Sequence, residues 1–371
     1  MSRPMTTEPV PAAPNIEALV DEVSARVRGY LLDPRFGARF RPDHLRDAIL
    51  TYLRTGGKAL RPALAVWSCG AAGGEPDRAL PAAVAIEVYH TWTLVHDDLI
   101  DRDDRRRGVP TVHRALEERG RAEWPISDAE AAHYGVSLAV LAGDTQHAWA
   151  VSLLAESHPG AGVDAALVLS LIADLETEVL NAIAEGEALD LQYSLRPLGE
   201  VSEEEILHMT AQKTAALYAF AARAGALIAR GRYQRDHPVV AALERFGHAC
   251  GIAFQLQDDI LGVLGEDQEL GKPVGSDIRE GKRTVLLNRA WQRADAEQRR
   301  SLQTIVGDHD AGAERVRRAT ELIVALGGAE HAAQLARAHL ERGLGHLEQV
   351  PDSPYRDRLA ELARAMVDRR R

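Results

Sequence analysis

The chain has 371 residues, of which 46% are apolar and 27% charged, and its formal net charge is −11. This acidity argues against a general nucleic-acid binder, because such proteins present a basic face. No stretch approaches the roughly 18 uncharged apolar residues that a membrane span needs. We therefore expect a globular protein with a large buried core and no membrane span.

The N-terminal segment Met1–Pro14 is expected to be a disordered leader. It has prolines at positions 4, 9, 11 and 14 and lacks the apolar stretch of a signal peptide. Cys69 and Cys250 lie inside apolar segments and are expected to be buried thiols in a reducing compartment. These features favour a cytoplasmic location.

From about Asn15 onward, apolar residues recur at the three- and four-residue spacing of helices, as in the stretch from Val239 to Ala253. No convincing two-residue alternation predicts a sheet. The predicted helices are separated by glycine and proline breaks at Gly70–Pro76, Gly108–Pro110, Pro125–Asp128, Pro197–Ser202 and Gly271–Gly275. We expect one all-α domain, residues 15–371, with roughly a dozen helices around apolar core helices.

An acidic cluster ends the apolar helix predicted over Leu80–Leu99. Asp97 and Asp101 are four residues apart and share a helix face, with Asp98 beside them. Three such carboxylates repel one another unless a cation lies between them. Clustered hard oxygen donors suit Mg²⁺, which often completes its shell with phosphate oxygens. The alternative is a solvated acidic helix end without a ligand.

A second acidic pair, Asp258 and Asp259, ends another apolar helix in a similar sequence context. Gln255 lies three and four residues before this pair on the same face. Two such clusters on two helices are able to face each other across a cavity and hold a diphosphate between them. The matched contexts indicate a duplicated site and not a solenoid repeat.

Basic residues near predicted helix ends would complete a phosphate site. Lys213 is the most informative, because its surroundings are mostly apolar and a buried lysine needs an anion. His90 lies two turns before Asp97 on the same face, where it either packs in the core or binds a ligand. The other candidates are more often solvated when taken singly: Lys58, Arg61, Arg105–Arg107, Lys272, Lys282 and Arg283.

These residues, in this order, resemble the trans-polyprenyl diphosphate synthase family from about Gly56 to Thr284. The most specific match is Asp97–Asp101 followed, at the family's spacing, by Arg106-Arg107-Gly108. Further matches are Gly57–Pro62, Leu141–Asp144, Lys213-Thr214, Phe254-Gln255 and Gly271-Lys272. The resemblance implies an all-α bundle around a deep central cavity, usually a homodimer. It also implies condensation of isopentenyl diphosphate with an allylic diphosphate.

The resemblance also implies roles for individual residues. Asp97 and Asp101 would hold two Mg²⁺ ions and Asp258 a third, with Asp98 completing the first motif and Asp259 assisting the second. The allylic diphosphate would be held by Arg106, Lys213, Lys272 and Lys282. The diphosphate of isopentenyl diphosphate would be held by Lys58, Arg61, His90 and Arg107. Thr214 and Gln255 would stabilise the developing carbocation through their oxygen dipoles.

One departure from the family pattern concerns the second motif. The family commonly has a third Asp at the position that is Gly262 here, so the second metal site lacks one carboxylate. Some active short-chain synthases that this sequence resembles also have Gly there. We therefore expect an active enzyme in which the two acidic motifs bind metal differently.

Product length is expected to depend on Trp92 and Tyr89. Trp92 precedes Asp97 by five residues, or about 7.5 Å along a helix, and Tyr89 lies about a turn deeper. In the family, a bulky residue at the Trp92 position limits chain growth; the alternative is that both rings only pack the core. We expect a C15–C20 product, with geranylgeranyl diphosphate favoured slightly over farnesyl diphosphate.

Two other functions are considered. A class I terpene cyclase would share the fold, but its Asn/Asp–Ser/Thr–Glu metal triad is not found in the sequence. It would also not need the Gly57–Pro62 element, which serves a second diphosphate. A noncatalytic partner subunit usually loses aspartates from the first motif, and this chain keeps all three.

Overall fold

The structure is a computed structural model that describes residues 15–264 and 275–368. The described chain is almost entirely helical, which confirms the predicted all-α class. Its strands are confined to a two-residue antiparallel hairpin, β1 (Arg105–Arg106) and β2 (Val109–Pro110). The predicted leader, residues 1–14, and Lys272 lie outside the described residues. The division into a leader and one domain stays a prediction.

The first half of the chain forms helices that begin and end close to the predicted breaks. In chain order they are α1 (Ile16–Leu31), α2 (Pro34–Gly37), α3 (Asp43–Thr55), α4 (Leu60–Ala71), α5 (Leu80–Ile100), α6 (Val112–Glu123), α7 (Asp128–Ala155) and α8 (Ser157–Ala161). A 3₁₀ turn, Pro76–Ala79, leads into α5. The hairpin therefore lies directly after the acidic end of α5.

The second half contains two long helices that are each interrupted by a π turn. The helical segments are α9 (Ala165–Ala173), α10 (Leu180–Leu195), α11 (Glu203–Thr210), α12 (Ala216–Arg230), α13 (Pro238–Leu264), α14 (Ser276–Glu280), α15 (Val285–Arg293), α16 (Ala296–Ile305), α17 (Ala313–Ala325), α18 (Gly328–Leu347) and α19 (Pro354–Asp368). The first π turn, Asp174–Val179, joins α9 to α10, and the second, Ala211–Ala215, joins α11 to α12. These interruptions and several short helices give more segments than the dozen expected. Such turns occur often at functional sites.

Local sequence explains where the main helices begin and end. A capping box formed by Ser127 and Glu130 begins α7, and another formed by Ser202 and Glu205 begins α11. Gly231 ends α12 in the left-handed conformation that glycine adopts without steric cost. Pro125–Asp128 and Pro197–Ser202 thus act as the predicted breaks.

The core is built around α5, α12 and α13, whose apolar residues are buried on several sides. Phe220 on α12 and Phe246 on α13 are fully buried. The helices approach closely where they carry glycine. A Cβ atom added at Gly225 of α12 would lie 2.0 Å from the carbonyl oxygen of Ala65 in α4. Among the described residues, no helix is both long and apolar enough to span a membrane.

The close approach of α12 to α4 predicts opposite effects for two Gly→Ala substitutions. Gly225→Ala should destabilise the fold by about 1–3 kcal/mol, since the new methyl group forces the helices apart. A Cβ atom added at Gly345 of α18 would have no neighbouring atom within 4 Å. Gly345→Ala should therefore stabilise the helix by about 0.5–1 kcal/mol. Urea unfolding measures both. A Gly225→Ala protein as stable as the wild type would contradict the close packing.

Candidate active site

The first acidic cluster forms where the last turn of α5 meets α10. Asp97 and Asp101 approach Glu187 of α10 so that one carboxylate oxygen from each lies within 4.8 Å of the other two. Asp101 ends α5, and its backbone N–H donates to the Asp97 carbonyl. Carboxylates at a helix C-terminus are disfavoured by the helix dipole. Their convergence here therefore requires nearby positive charge.

Asp98 has a different environment from its two neighbours. Its side chain is 1% exposed, and it accepts hydrogen bonds from the Tyr52 hydroxyl and, at 2.6 Å, from Arg106 Nε. Burial raises the pKa of Asp98 to about 6, although Arg106 opposes the rise. Arg106 also donates to Asp97 at 3.0 Å. The hairpin places Arg106 over the end of α5, and Asp98 holds it there.

Lys213 supplies positive charge to the cluster from the second π turn. Its Nζ lies 2.8 Å from Asp190, 2.9 Å from Glu187 and 3.3 Å from Asp97. Burial disfavours the charged ammonium, but the surrounding carboxylates hold the pKa of Lys213 well above its ordinary value. A Cβ atom at Gly186 would lie 2.2 Å from the Lys213 backbone nitrogen, so glycine is needed for this close approach.

Lys282 reaches the same cluster from the segment that follows α14, 181 residues after Asp101 in the sequence. Its Nζ lies 2.5 Å from Asp101 and 3.1 Å from Glu280. As for Lys213, burial opposes the charge and nearby carboxylates, Asp101 foremost, raise the pKa of Lys282 well above its ordinary value. The two ammonium groups thus neutralise the carboxylates of α5 from two sides.

The second acidic pair, on α13, is linked to the second π turn by two hydrogen bonds. Thr214 Oγ1 donates to Gln255 Oε1 at 2.9 Å, and Gln255 Nε2 donates to Asp259 Oδ1 at 2.9 Å. Burial, followed by the charge of Asp277, raises the pKa of Asp259 to about 7. Asp258 precedes Asp259 on the same turn and contributes to that rise.

Asp277 of α14 lies beside the position where the family's third aspartate is absent. A Cβ atom at Gly262 would lie 3.3 Å from Asp277 Oδ2. The space near Gly262 is therefore bordered by a carboxylate from a later helix. Asp277 belongs to the segment Gly271–Asp277, in which sequence analysis singled out only the lysine.

A separate basic group lies around the start of α4. The Arg61 guanidinium lies 4.2 Å from the centroid of the Tyr218 ring, and Arg107 Nη1 donates to the Gly56 carbonyl. Burial, with Arg61 and Arg107 adding to it, lowers the pKa of His90 well below its ordinary value. Both effects disfavour the charged imidazole of His90. Lys58 lies exposed in the loop before α4.

Several residues of these groups were not identified from sequence. Glu187 and Asp190 are three residues apart on one face of a mostly apolar helix, which was a usable signal. Glu87, Tyr52 and Glu280 gave no such signal. Burial raises the pKa of Glu87, while the charges of Arg61 and Arg107 lower it. This carboxyl therefore lies near the basic residues around the start of α4.

Tyr89 and Trp92 lie in an aromatic cluster on the side of α5 that faces α7. The Trp92 ring centroid is 4.9 Å from that of Tyr89 and 4.8 Å from that of His147 on α7. Trp92 Nε1 donates to His96 Nδ1 at 3.1 Å. The two predicted length-determining residues are thus in contact, and both histidines were missed by sequence analysis.

The donor set of the first cluster fits Mg²⁺. All three oxygen ligands are carboxylates, which is the donor type that Mg²⁺ prefers, and they converge within 4.8 Å. Two of them, Asp97 and Asp101, are the predicted ligands, and Glu187 is an addition. Lys213 and Lys282 pair with these carboxylates.

Comparison with known proteins gives consistent matches. Residues 42–323 match the family model "Polyprenyl synthetase". The chain is 36% identical over 328 residues to the short chain isoprenyl diphosphate synthase of Methanothermobacter thermautotrophicus, covering 88% of this chain and 91% of that protein. It is also 36% identical over 309 residues to the geranylgeranyl diphosphate synthase of Saccharolobus solfataricus, covering 83% and 85%.

The fold matches a solved enzyme over nearly its whole length. Geranylgeranyl pyrophosphate synthase from Corynebacterium glutamicum, whose structure is complexed with isoprenyl diphosphate and magnesium, superposes with a TM-score of 0.84 and 34% identity. The match covers 96% of this chain and 100% of that one.

The raised pKa of Asp259 predicts a pH-dependent effect of Asp259→Asn in protein freed of divalent cations. The folded-state pKa is raised from 3.8 to about 7, so between these values the folded protein keeps a proton that the unfolded chain releases. Wild-type stability therefore falls as pH rises through this window. The variant lacks this fall and should unfold at a higher temperature than the wild type above pH 7.

Thermal unfolding in EDTA, measured from about pH 4 to pH 8, tests this expectation. The difference between variant and wild type should be smallest at the acidic end, because the unfolded chain also begins to bind this proton as the pH falls toward 3.8. The same pH dependence in both proteins would contradict the burial of an uncompensated carboxyl at this position.

Proposed function

The chain belongs to the polyprenyl synthetase family and is a short-chain prenyl diphosphate synthase, and from this premise we propose that it makes geranylgeranyl diphosphate. The observation that carries the two-substrate reaction is the separation of two cationic groups. Lys213 and Lys282 pair with the carboxylates of α5, whereas Arg61, Arg107 and His90 form a group near α4. A second diphosphate substrate accounts for the second group.

The allylic diphosphate is proposed to bind between the two acidic clusters. Asp97, Asp101 and Glu187 on one side and Asp258 on the other would hold Mg²⁺, three ions by resemblance to the family. Bound Mg²⁺ would neutralise the diphosphate leaving group and so favour cleavage of the allylic C–O bond. Lys213, Lys282 and Arg106 would donate hydrogen bonds to the phosphate oxygens, joined by Lys272 outside the described residues.

Isopentenyl diphosphate is proposed to bind the group around Arg61, Arg107 and His90, with Lys58 reaching in from the loop. Arg61 is partly buried, and reduced contact with water strengthens the attraction between a guanidinium group and a diphosphate. Glu87 would orient both arginines before the substrate arrives. Two bound substrates held side by side convert the coupling into an effectively unimolecular step.

Thr214 and Gln255 are proposed to stabilise the developing allylic cation. The Thr214 hydroxyl donates a hydrogen bond to Gln255 Oε1. The lone pairs of the threonine oxygen are therefore directed away from that bond. Gln255 is in turn fixed by donating to Asp259. Oriented dipoles of this kind stabilise positive charge without reorganisation during the reaction.

Product analysis with full-length protein tests the function. Incubation with isopentenyl diphosphate, Mg²⁺ and each of dimethylallyl, geranyl and farnesyl diphosphate should give a C20 diphosphate. Asp101→Asn should lower kcat/KM about 100-fold or more, while Asp21→Asn on the exposed face of α1 should not. Release of a hydrocarbon would favour the cyclase. Absence of elongated product with every primer would overturn the proposal and favour the noncatalytic subunit.

Product length is proposed to be limited by Trp92. Trp92→Ala removes a ring that packs against Tyr89 and His147. The main product should become longer by one or more C5 units. Liquid chromatography with mass detection measures the shift, and thermal unfolding controls for loss of fold. An unchanged product spectrum would assign Trp92 to core packing alone.

A homodimer is proposed from an exposed apolar surface on α7 and α9. Val136, Val140 and Leu141 are 42%, 41% and 50% exposed, and Leu169 is 67% exposed. Val136 and Val140 are one turn apart on α7, and contiguous exposed apolar patches mark interaction surfaces. Light scattering should give twice the chain mass, and a monomer would contradict the proposal. The two buried free cysteines support the proposed cytoplasmic location, which fractionation of the source cells would test.

A further inference from the structure

The aromatic cluster around Trp92 continues from α5 onto α7 through His147. The imidazole centroid of His147 is 4.8 Å from that of Trp92 and 5.5 Å from that of Tyr89. One imidazole thus contacts both residues to which product length is attributed. Its position determines how much room the indole has on this side.

His147 is itself held by Glu176 in the first π turn. Its Nε2 lies 3.1 Å from one carboxylate oxygen of Glu176 and 3.0 Å from the other. Since a carboxylate only accepts, Nε2 donates the hydrogen bond. The same π turn contacts α5 directly, because the Tyr89 hydroxyl donates to the Leu175 carbonyl at 3.5 Å. The π turn is therefore bonded to one member of the cluster on α7, His147, and to one on α5, Tyr89.

His96 contacts Trp92 at the indole nitrogen. Trp92 Nε1 donates to His96 Nδ1, and a Cβ atom at Gly143 of α7 would lie 2.1 Å from His96 Nε2. His96 therefore fills the space that a side chain at position 143 would occupy and cannot move toward α7. His96 thus holds the indole N–H, and His147 contacts the indole ring.

We propose that His147 and Glu176 are positioning residues that set product length by holding Trp92 in place. This inference rests on the proposed function. Trp92 is only partly buried, so packing alone does not fix its ring, and both members of the pair are about one quarter exposed, at 26% and 27%. Loss of the Glu176 carboxylate frees the imidazole to rotate, and the indole follows as a longer prenyl chain presses on it.

The test combines three substitutions with two readouts. In Glu176→Ala and His147→Ala, the ratio of the product one C5 unit longer to the wild-type product should rise about tenfold, the scale at which pockets discriminate small apolar groups. Glu176→Gln should stay near the wild-type ratio, since the amide oxygen still accepts from Nε2. Calorimetric affinities for C15, C20 and C25 thiolodiphosphates with Mg²⁺ give the same preference without turnover.

A matched control comes from another His–Glu pair of similar exposure. His331 Nε2 lies 2.5 Å from Glu203, with side chains 22% and 32% exposed, on α18 and α11. Glu203→Ala should leave both the product ratio and the analogue preference unchanged. Equal melting temperatures for Glu176→Ala and Glu203→Ala would separate positioning of Trp92 from general stability.

Chain-length preferences that are unchanged in both Glu176→Ala and His147→Ala would overturn the inference. A wild-type protein that forms no elongated product would instead overturn the proposed function. In that case the preference among the three analogues still decides whether His147 and Glu176 control the space beside Trp92.

Discussion

The convergence of carboxylates at the C-terminal end of α5 is the constraint on which the rest of the site depends. Asp97, Asp101 and Glu187 come together where the helix dipole already disfavours negative charge. Such a cluster forms only with compensating cations, and Lys213 and Lys282 provide them from segments far apart in sequence. The fold must therefore bring α5, α10, the second π turn and the segment after α14 to one place. In the proposed reaction, the two ammonium groups would exchange these carboxylates for phosphate oxygens.

The two π turns perform related tasks at different depths along α5. The second carries Lys213 and Thr214, which reach Asp97 and Gln255 near the acidic end. The first carries Glu176, which holds His147 against Trp92 nearer the middle of α5. A π turn adds one residue to a helical turn and so redirects the side chains around it. The second turn directs Lys213 to Asp97 of α5, whereas the first directs Glu176 to His147 of α7.

Much of the fold and part of the site were predictable from the sequence, for physical reasons. Helical spacing predicts α5 and α13, and the position of Asp97 and Asp101 on one face follows from the same spacing. Contacts between helices are different, since nothing local to Glu187 or Asp277 indicates which helix lies opposite. Asp98 illustrates the limit, because Asp97 and Asp101 join the carboxylate cluster whereas Asp98, between them in sequence, is buried against Tyr52 and Arg106. The roles that family resemblance gives to individual residues stay predictions.

A crystal structure of the protein with Mg²⁺ and a nonhydrolysable allylic thiolodiphosphate would test the two-sided diphosphate site most directly. The proposed site predicts Mg²⁺ bound by Asp97 and Asp101 on one side and, by resemblance to the family, by Asp258 on the other, with the diphosphate between them. It also predicts that Lys213 and Lys282 leave their carboxylate partners and contact phosphate oxygens. A diphosphate bound elsewhere, or one bound here with both lysines still paired to Asp97 and Asp101, would contradict this site.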